Sequence, residues 1–304
     1  MSIKAKLSWP LLLASVGLSL LQLFFHLGKQ ADWQLIILQL RLPRLLFEIG
    51  TGLGLGISAL LLAATLRQPY IDGSMLGIAS GSQLLTALAA IAFPQTTSYR
   101  VLIGAVAAVF CLLLLRISVF KFQSRPLFMI IGGFCWAMFF EAVTSILTET
   151  SGWSGKSLAN TTWIDVSWLA LFLLLGWLIW QFCGRFLPFF ALPKLQTSQL
   201  GIDEAKVSLQ LQLLACLWLG ALTAVLGTAF FVGVVLNQLV KELTQLGLLQ
   251  RLSLVALFSV FSLLLADTLA HFTFYPIELP TNTVLLILSA PAFVFLLVRW
   301  SHAI

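Results

Sequence analysis

The chain has 304 residues, 60% of them hydrophobic and only 9% charged, with a formal net charge of +6 and a mean hydropathy of +1.02. Soluble domains carry about a quarter charged residues, so an ordinary soluble protein is excluded. The basic residues stand singly at the ends of apolar runs, with no cluster or stripe, which argues for a membrane surface and against nucleic acid.

Apolar runs of about twenty residues recur from one end to the other, the length of a membrane-crossing helix and not of a barrel strand. The expected class is an all-α membrane protein, with a single polytopic transmembrane domain over residues 1–304. The first run, 7–27, follows Lys4 and Lys6. No A-x-A-like site comes after it and more spans do, so it reads as an uncleaved helix rather than a signal peptide. Further spans fall near 45–66, 75–93, 101–119, 127–147, 166–187, 208–225, 229–246, 252–270 and 283–298, ten in all. Asn237, Gln238, Lys241 and Glu242 interrupt 229–246, the weakest of them.

With the N-terminus inside, Lys4, Lys6, Arg67, Arg116, Lys121, Arg125, Arg185, Lys194, Lys206, Lys241, Arg251 and Arg299 fall on the inner side. Lys29, Arg41, Arg44, Arg100 and Lys156 fall outside. That balance satisfies the positive-inside rule with both termini cytoplasmic. The outer loop 148–165 is polar and carries Trp153 and Trp163, residues suited to a membrane interface. In the longest inner loop, 188–206, Leu192, Leu195, Leu200 and Ile202 alternate with polar residues around Pro193 and Gly201. Two readings stand for it: a helix–turn–helix offering a partner its apolar face, or a solvated linker.

Gly50, Gly52, Gly54 and Gly56 form two interleaved small-xxx-small pairs, which let helices approach backbone to backbone and put this span inside the bundle. Gly77 and Gly81 repeat the spacing on the next span. Charges inside spans call for partners. Glu48 has Arg44 at i,i+4, and Asp267 has His271 four residues on. Glu141 has no charged neighbour in sequence, which leaves either a water-lined path or a structural hydrogen bond. His26, His271 and His302 are not at metal-ligand spacing, and no P-loop, GxGxxG or GxSxG occurs, so no metal, cofactor or catalytic residue is expected. Arg41 and Arg44 sit where the positive-inside rule would not put them. They either snorkel to head groups or receive carboxylates of a soluble partner.

LRLPR at 40–44, the glycine-rich span and QPYIDGSMLGIASG at 68–81 resemble the second and third spans of FecCD-type ABC importer permeases. LLLADTLA at 263–270, IELP at 277–280 and SAPAFVFLL at 289–297 are similar to that family's LLLAD, ELP and GxPxFxxLL. The resemblance covers nearly the whole chain. It implies a type II importer permease fold of about ten spans in a bacterial inner membrane, importing an iron–siderophore, haem or cobalamin type of ligand. The implied partners are a second permease subunit, two cytoplasmic ATPase subunits that use the ATP, and a soluble extracytoplasmic binding protein. Arg41 and Arg44 then match the arginines that receive the binding protein's glutamates, and His271 stands where the cobalamin permease has a third such arginine. Leu192, Leu195, Gln196, Ser198, Leu200, Gly201 and Ile202 match the coupling segment that docks into the ATPase.

The chain departs from the family's pattern at Pro193–Lys194, where a Gly-Glu pair is usual, and at Asn237–Gln238 and 248–251. Gln68 replaces the usual Asn. These departures gather on the inner side, as expected of one unequal half of a heterodimer. From a different class, the alternative is a proton-coupled secondary transporter acting through Glu141, Asp267 and His271.

Overall fold

The computed structural model describes residues 3–24, 33–118, 126–151, 158–201, 203–244, 246–272 and 279–301. His26, Lys29, Lys121, Arg125, Trp153, Lys156, Ile202 and His302 lie outside these residues. At Lys4, Lys6, Lys194, Leu195, Ser198 and Arg299 only the backbone is described.

Ten principal helices make up the described chain: α1 Ile3–Phe24, α2 Leu42–Thr65, α3 Ile78–Ala92, α4 Arg100–Ser118, α5 Pro126–Ser151, α6 Trp163–Cys183, α7 Glu204–Leu226, α8 Val232–Leu243, α9 Leu248–Phe272 and α10 Thr281–Ser301. Every span read from the sequence has a helix. Among the described residues six stretches, α2, α4, α7 and α9 among them, are long and apolar enough to cross a membrane. α1, α3 and α10 hold apolar but shorter stretches.

The weak span changes most. Instead of a helix over 229–246, the chain breaks at Gly227, whose φ of 94° is left-handed, and α8 starts only after Phe231, itself at φ 64°. The twelve residues of α8 rise about 18 Å, well short of a hydrocarbon core of about 30 Å. Asn237, Gln238 and Lys241 therefore need not be carried through lipid. α3 is similarly short, and the irregular stretch before it is buried at Ile71, Asp72, Gly73 and Ser74. Non-helical backbone at membrane depth is stable only where protein covers it, and it is covered here.

Lipid tails are as apolar as leucine, so helix association in a membrane depends on close packing rather than on removal from water. The glycines supply that closeness. A Cβ at Gly52 would stand 2.6 Å from the Val260 Cα, and one at Gly56 would stand 2.8 Å from the Ser259 Cβ and 2.9 Å from the Val255 carbonyl. α2 thus lies backbone to backbone on α9. On the other face of α2, the tightest neighbour of a Cβ at Gly54 would be the tip of Leu222, at 3.1 Å. α7 is the central helix, packed against α2, α3, α4 and α6. Its Gly220 crosses Gly104 of α4, and Ser82 donates from α3 to both of their carbonyls, at 3.3 and 3.0 Å. α5 and α6 are the most exposed of the long helices.

Candidate functional site

Networks of charged side chains lie at the two ends of this bundle. At one end Arg44, in the first turn of α2, makes a two-pronged ion pair with Asp267 of α9: Nε donates to Oδ2 at 3.1 Å and Nη2 to Oδ1 at 2.8 Å. Thr281, the first residue of α10, donates to the same Oδ1 at 2.6 Å, and Gln22 of α1 to Oδ2 at 3.4 Å. One carboxylate therefore holds four helices. Glu48 lies one turn along from Arg44, with Oε1 3.5 Å from its Nε, which is the i,i+4 contact expected from the sequence. Arg41 ends a five-residue π-helical stretch, Ile37–Arg41, that turns the chain into α2. Its Nη1 donates to the carbonyls of Gln22 and Leu23, at 3.1 and 2.9 Å, satisfying the C-terminus of α1.

Arg41, Arg44 and His271, the three residues expected to dock a partner, line one small cavity of about 50 Å³ with Gln22, Leu45 and Asp267. Periodicity along α9 offered Asp267 its neighbour His271; the structure gives it Arg44, 223 residues away. No spacing rule reaches that far, and Gln22 and Thr281 carried no signal at all. Nearby at the same end, Arg100 of α4 pairs with Asp165 of α6, at 2.8 and 2.6 Å, and Asp165 also closes a capping box with Thr162.

At the opposite end Arg67 follows the last turn of α2 in a left-handed backbone conformation, φ 54°, which is uncommon outside glycine. From there its Nε donates to Glu204 Oε1 at 3.0 Å, its Nη1 to the Leu192 carbonyl and its Nη2 to Thr197 Oγ1 at 3.4 Å. One guanidinium thus ties α2 to both limbs of the 192–204 segment. That segment has a short helix, Lys194–Gln199, then Gly201 at φ 72°, and Asp203 capping α7 through the Lys206 amide at 3.3 Å. The helix–turn–helix reading of the loop holds for its first helix and turn, but its second helix is the start of α7 itself. Gln196, Leu200 and Gly201 are described there, and Leu192 and Leu200 are both exposed. Arg67 was legible only as one more inner charge.

Between the two ends lies Asp72, in the irregular stretch before α3. Its Oδ1 accepts from the Gly73 amide at 2.6 Å and its Oδ2 from the Gly233 amide at 3.2 Å, in the first turn of α8. A carboxylate at a helix N-terminus is favoured by the helix dipole. Glu141 of α5 is half-buried, and Thr228 of the break before α8 donates to its Oε2 at 3.5 Å.

The FecCD transport family model matches residues 7–299 of this chain. The chain belongs to that family. It is 27% identical over 262 residues to a Staphylococcus aureus protein described as the heme-iron transport system permease protein IsdF, covering 86% of this chain and 81% of the relative. Among solved structures, an inward-facing transporter described as of metal-chelate ABC type superposes with a TM-score of 0.79 at 23% identity, over 97% of this chain and 99% of that one. PsaBC from Streptococcus pneumoniae, solved with a Fab, superposes with a TM-score of 0.63 at 13% identity, over 91% and 94%. The fold of this FecCD protein is that of a type II ABC importer permease, and it is a multi-pass transport permease of the membrane.

Proposed function

We propose that this chain is the permease subunit of an inner-membrane ABC importer that moves an iron chelate, of the iron–siderophore or haem kind, inward. A second, related permease would complete the pathway, ATP would be hydrolysed on two cytoplasmic ATPase subunits, and a soluble binding protein would deliver the ligand. The observation that carries this reading is the Arg67 node. It joins the end of α2 to the 192–204 segment, so a push on that segment would reach a helix running the full depth of the bundle. In that direction Arg67, Gln196 and Leu200 face the ATPase, and Arg41, Arg44 and His271 face the binding protein. α2 packs rigidly on α9 through Gly52 and Gly56, so movement would pass between the ends as a shift of packed helices. Glu141, with Thr228, would border the pathway on the exposed side of α5.

The test is uptake into proteoliposomes holding this chain with its candidate ATPase and partner permease. Accumulation that needs ATP and the binding protein, and that survives an uncoupler, supports the proposal. Accumulation by this chain alone, abolished by the uncoupler, supports the proton-coupled alternative instead.

A further inference from the structure

At the Arg67 end a cavity of about 350 Å³ opens between α2, α8, the start of α9 and the 3₁₀ stretch Gly184–Ala191. Its inner wall is apolar, from Leu60, Phe190 and Leu248, and its rim carries three cations, Arg67, Lys241 and Arg251. Arg67 is neutralised by Glu204 at 3.0 Å. Arg251 spends its Nε on the Leu246 carbonyl at 2.7 Å, and among the described residues no acid lines the cavity with Lys241 and Arg251. Gln238, 2% exposed, donates through Nε2 to the Pro69 carbonyl, while its buried Oε1 has no hydrogen-bond partner. The site thus offers two positive charges, an acceptor wanting a hydroxyl donor, and a greasy wall, at the depth where the helices end.

We propose that this cavity binds the headgroup of an anionic phospholipid bearing hydroxyls, of the phosphatidylglycerol type. Its phosphate lies toward Lys241 and Arg251, a headgroup hydroxyl donates to Gln238, and the start of the acyl region covers Leu60 and Phe190. Basic pockets between helices at a membrane face are suited to such headgroups. An amphipathic anion uses both walls of this one, whereas a free phosphate uses only the rim. Arg67 is shared with the Glu204 node, but the charges that take the phosphate, Lys241 and Arg251, lie outside that node, and the site stands whichever way the transport reading is decided.

The full chain in detergent, titrated with phosphatidylglycerol and phosphatidylcholine at equal mole fraction, is read by native mass spectrometry. A preference for phosphatidylglycerol on the order of tenfold is expected. It should collapse in Lys241→Gln with Arg251→Gln. It should also collapse in Ala64→Trp, which fills the cavity and leaves the charges, so the test survives if the charge variant fails to fold. Excess inorganic phosphate should leave the lipid bound. Equal retention of the two lipids, or a preference that persists in both variants, would overturn the proposal. So would displacement by phosphate alone, which marks a free-anion site, or a cross-link from Lys241→Cys to an ATPase subunit in an assembly that carries no lipid there.

Discussion

Arg44 and Asp267 come from opposite ends of the sequence and meet through two charge-assisted hydrogen bonds of 2.8 and 3.1 Å, with the carboxylate almost wholly buried. A guanidinium fork on a carboxylate is the strongest polar contact available to side chains. Here it closes one end of the bundle, because Thr281 and Gln22 converge on the same acid. Removing one partner of a buried pair leaves the other charge uncompensated. Asp267→Ala should therefore lower stability by about 3 kcal/mol or more, and Thr281→Val by about 1 kcal/mol. Thermal unfolding of the purified protein in detergent measures both; a neutral Asp267→Ala would show the pair to be dispensable.

The same geometry separates the two arginines in a docking experiment. Arg41 donates to the backbone carbonyls of Gln22 and Leu23, whereas Arg44 is committed to an internal acid. Arg41→Glu should weaken binding-protein affinity about tenfold at low ionic strength and less at high salt, at a smaller stability cost than Arg44→Glu because the cap on α1 is lost and the buried ion pair is kept. Arg44→Glu should unfold the protein more readily than it weakens docking. Surface plasmon resonance at two salt concentrations, beside a melting curve, reads each effect. Equal affinities for Arg41→Glu and the parent at low salt would leave Arg41 a capping residue.

Much of this was legible beforehand because membrane helices announce themselves by length and apolarity, and their close contacts by glycine spacing. The ten helices, the interior position of α2 and the Arg44–Glu48 contact all follow from rules local in sequence. What escaped was non-local. Asp267 was paired with its helical neighbour because i,i+4 spacing is visible and a 223-residue separation is not. Arg67 counted only as topology because its three acceptors belong to residues more than a hundred positions away. The truncation of α8 had a signal in Asn237 and Gln238, but the break was set by backbone at Gly227 and Phe231 that composition does not report.

The glycines of α2 should not be equivalent. Gly52→Ala would drive a methyl against the Val260 backbone at 2.6 Å, and backbone cannot yield as a side chain can. Gly54→Ala would meet the flexible tip of Leu222 at 3.1 Å. The first should cost about 1–3 kcal/mol, the range for overpacking, and the second well under that. Expression level and melting temperature of the two variants, compared side by side, test the ranking.

Arg67 gives the most direct test of coupling. Arg67→Gln keeps a donor for Thr197 or the Leu192 carbonyl but loses the charge that holds Glu204. In the reconstituted importer, ATP hydrolysis should persist while its stimulation by loaded binding protein falls severalfold. Charge swapping, Arg67→Glu with Glu204→Arg, should restore part of it. Full stimulation in Arg67→Gln would remove this node from the coupling route.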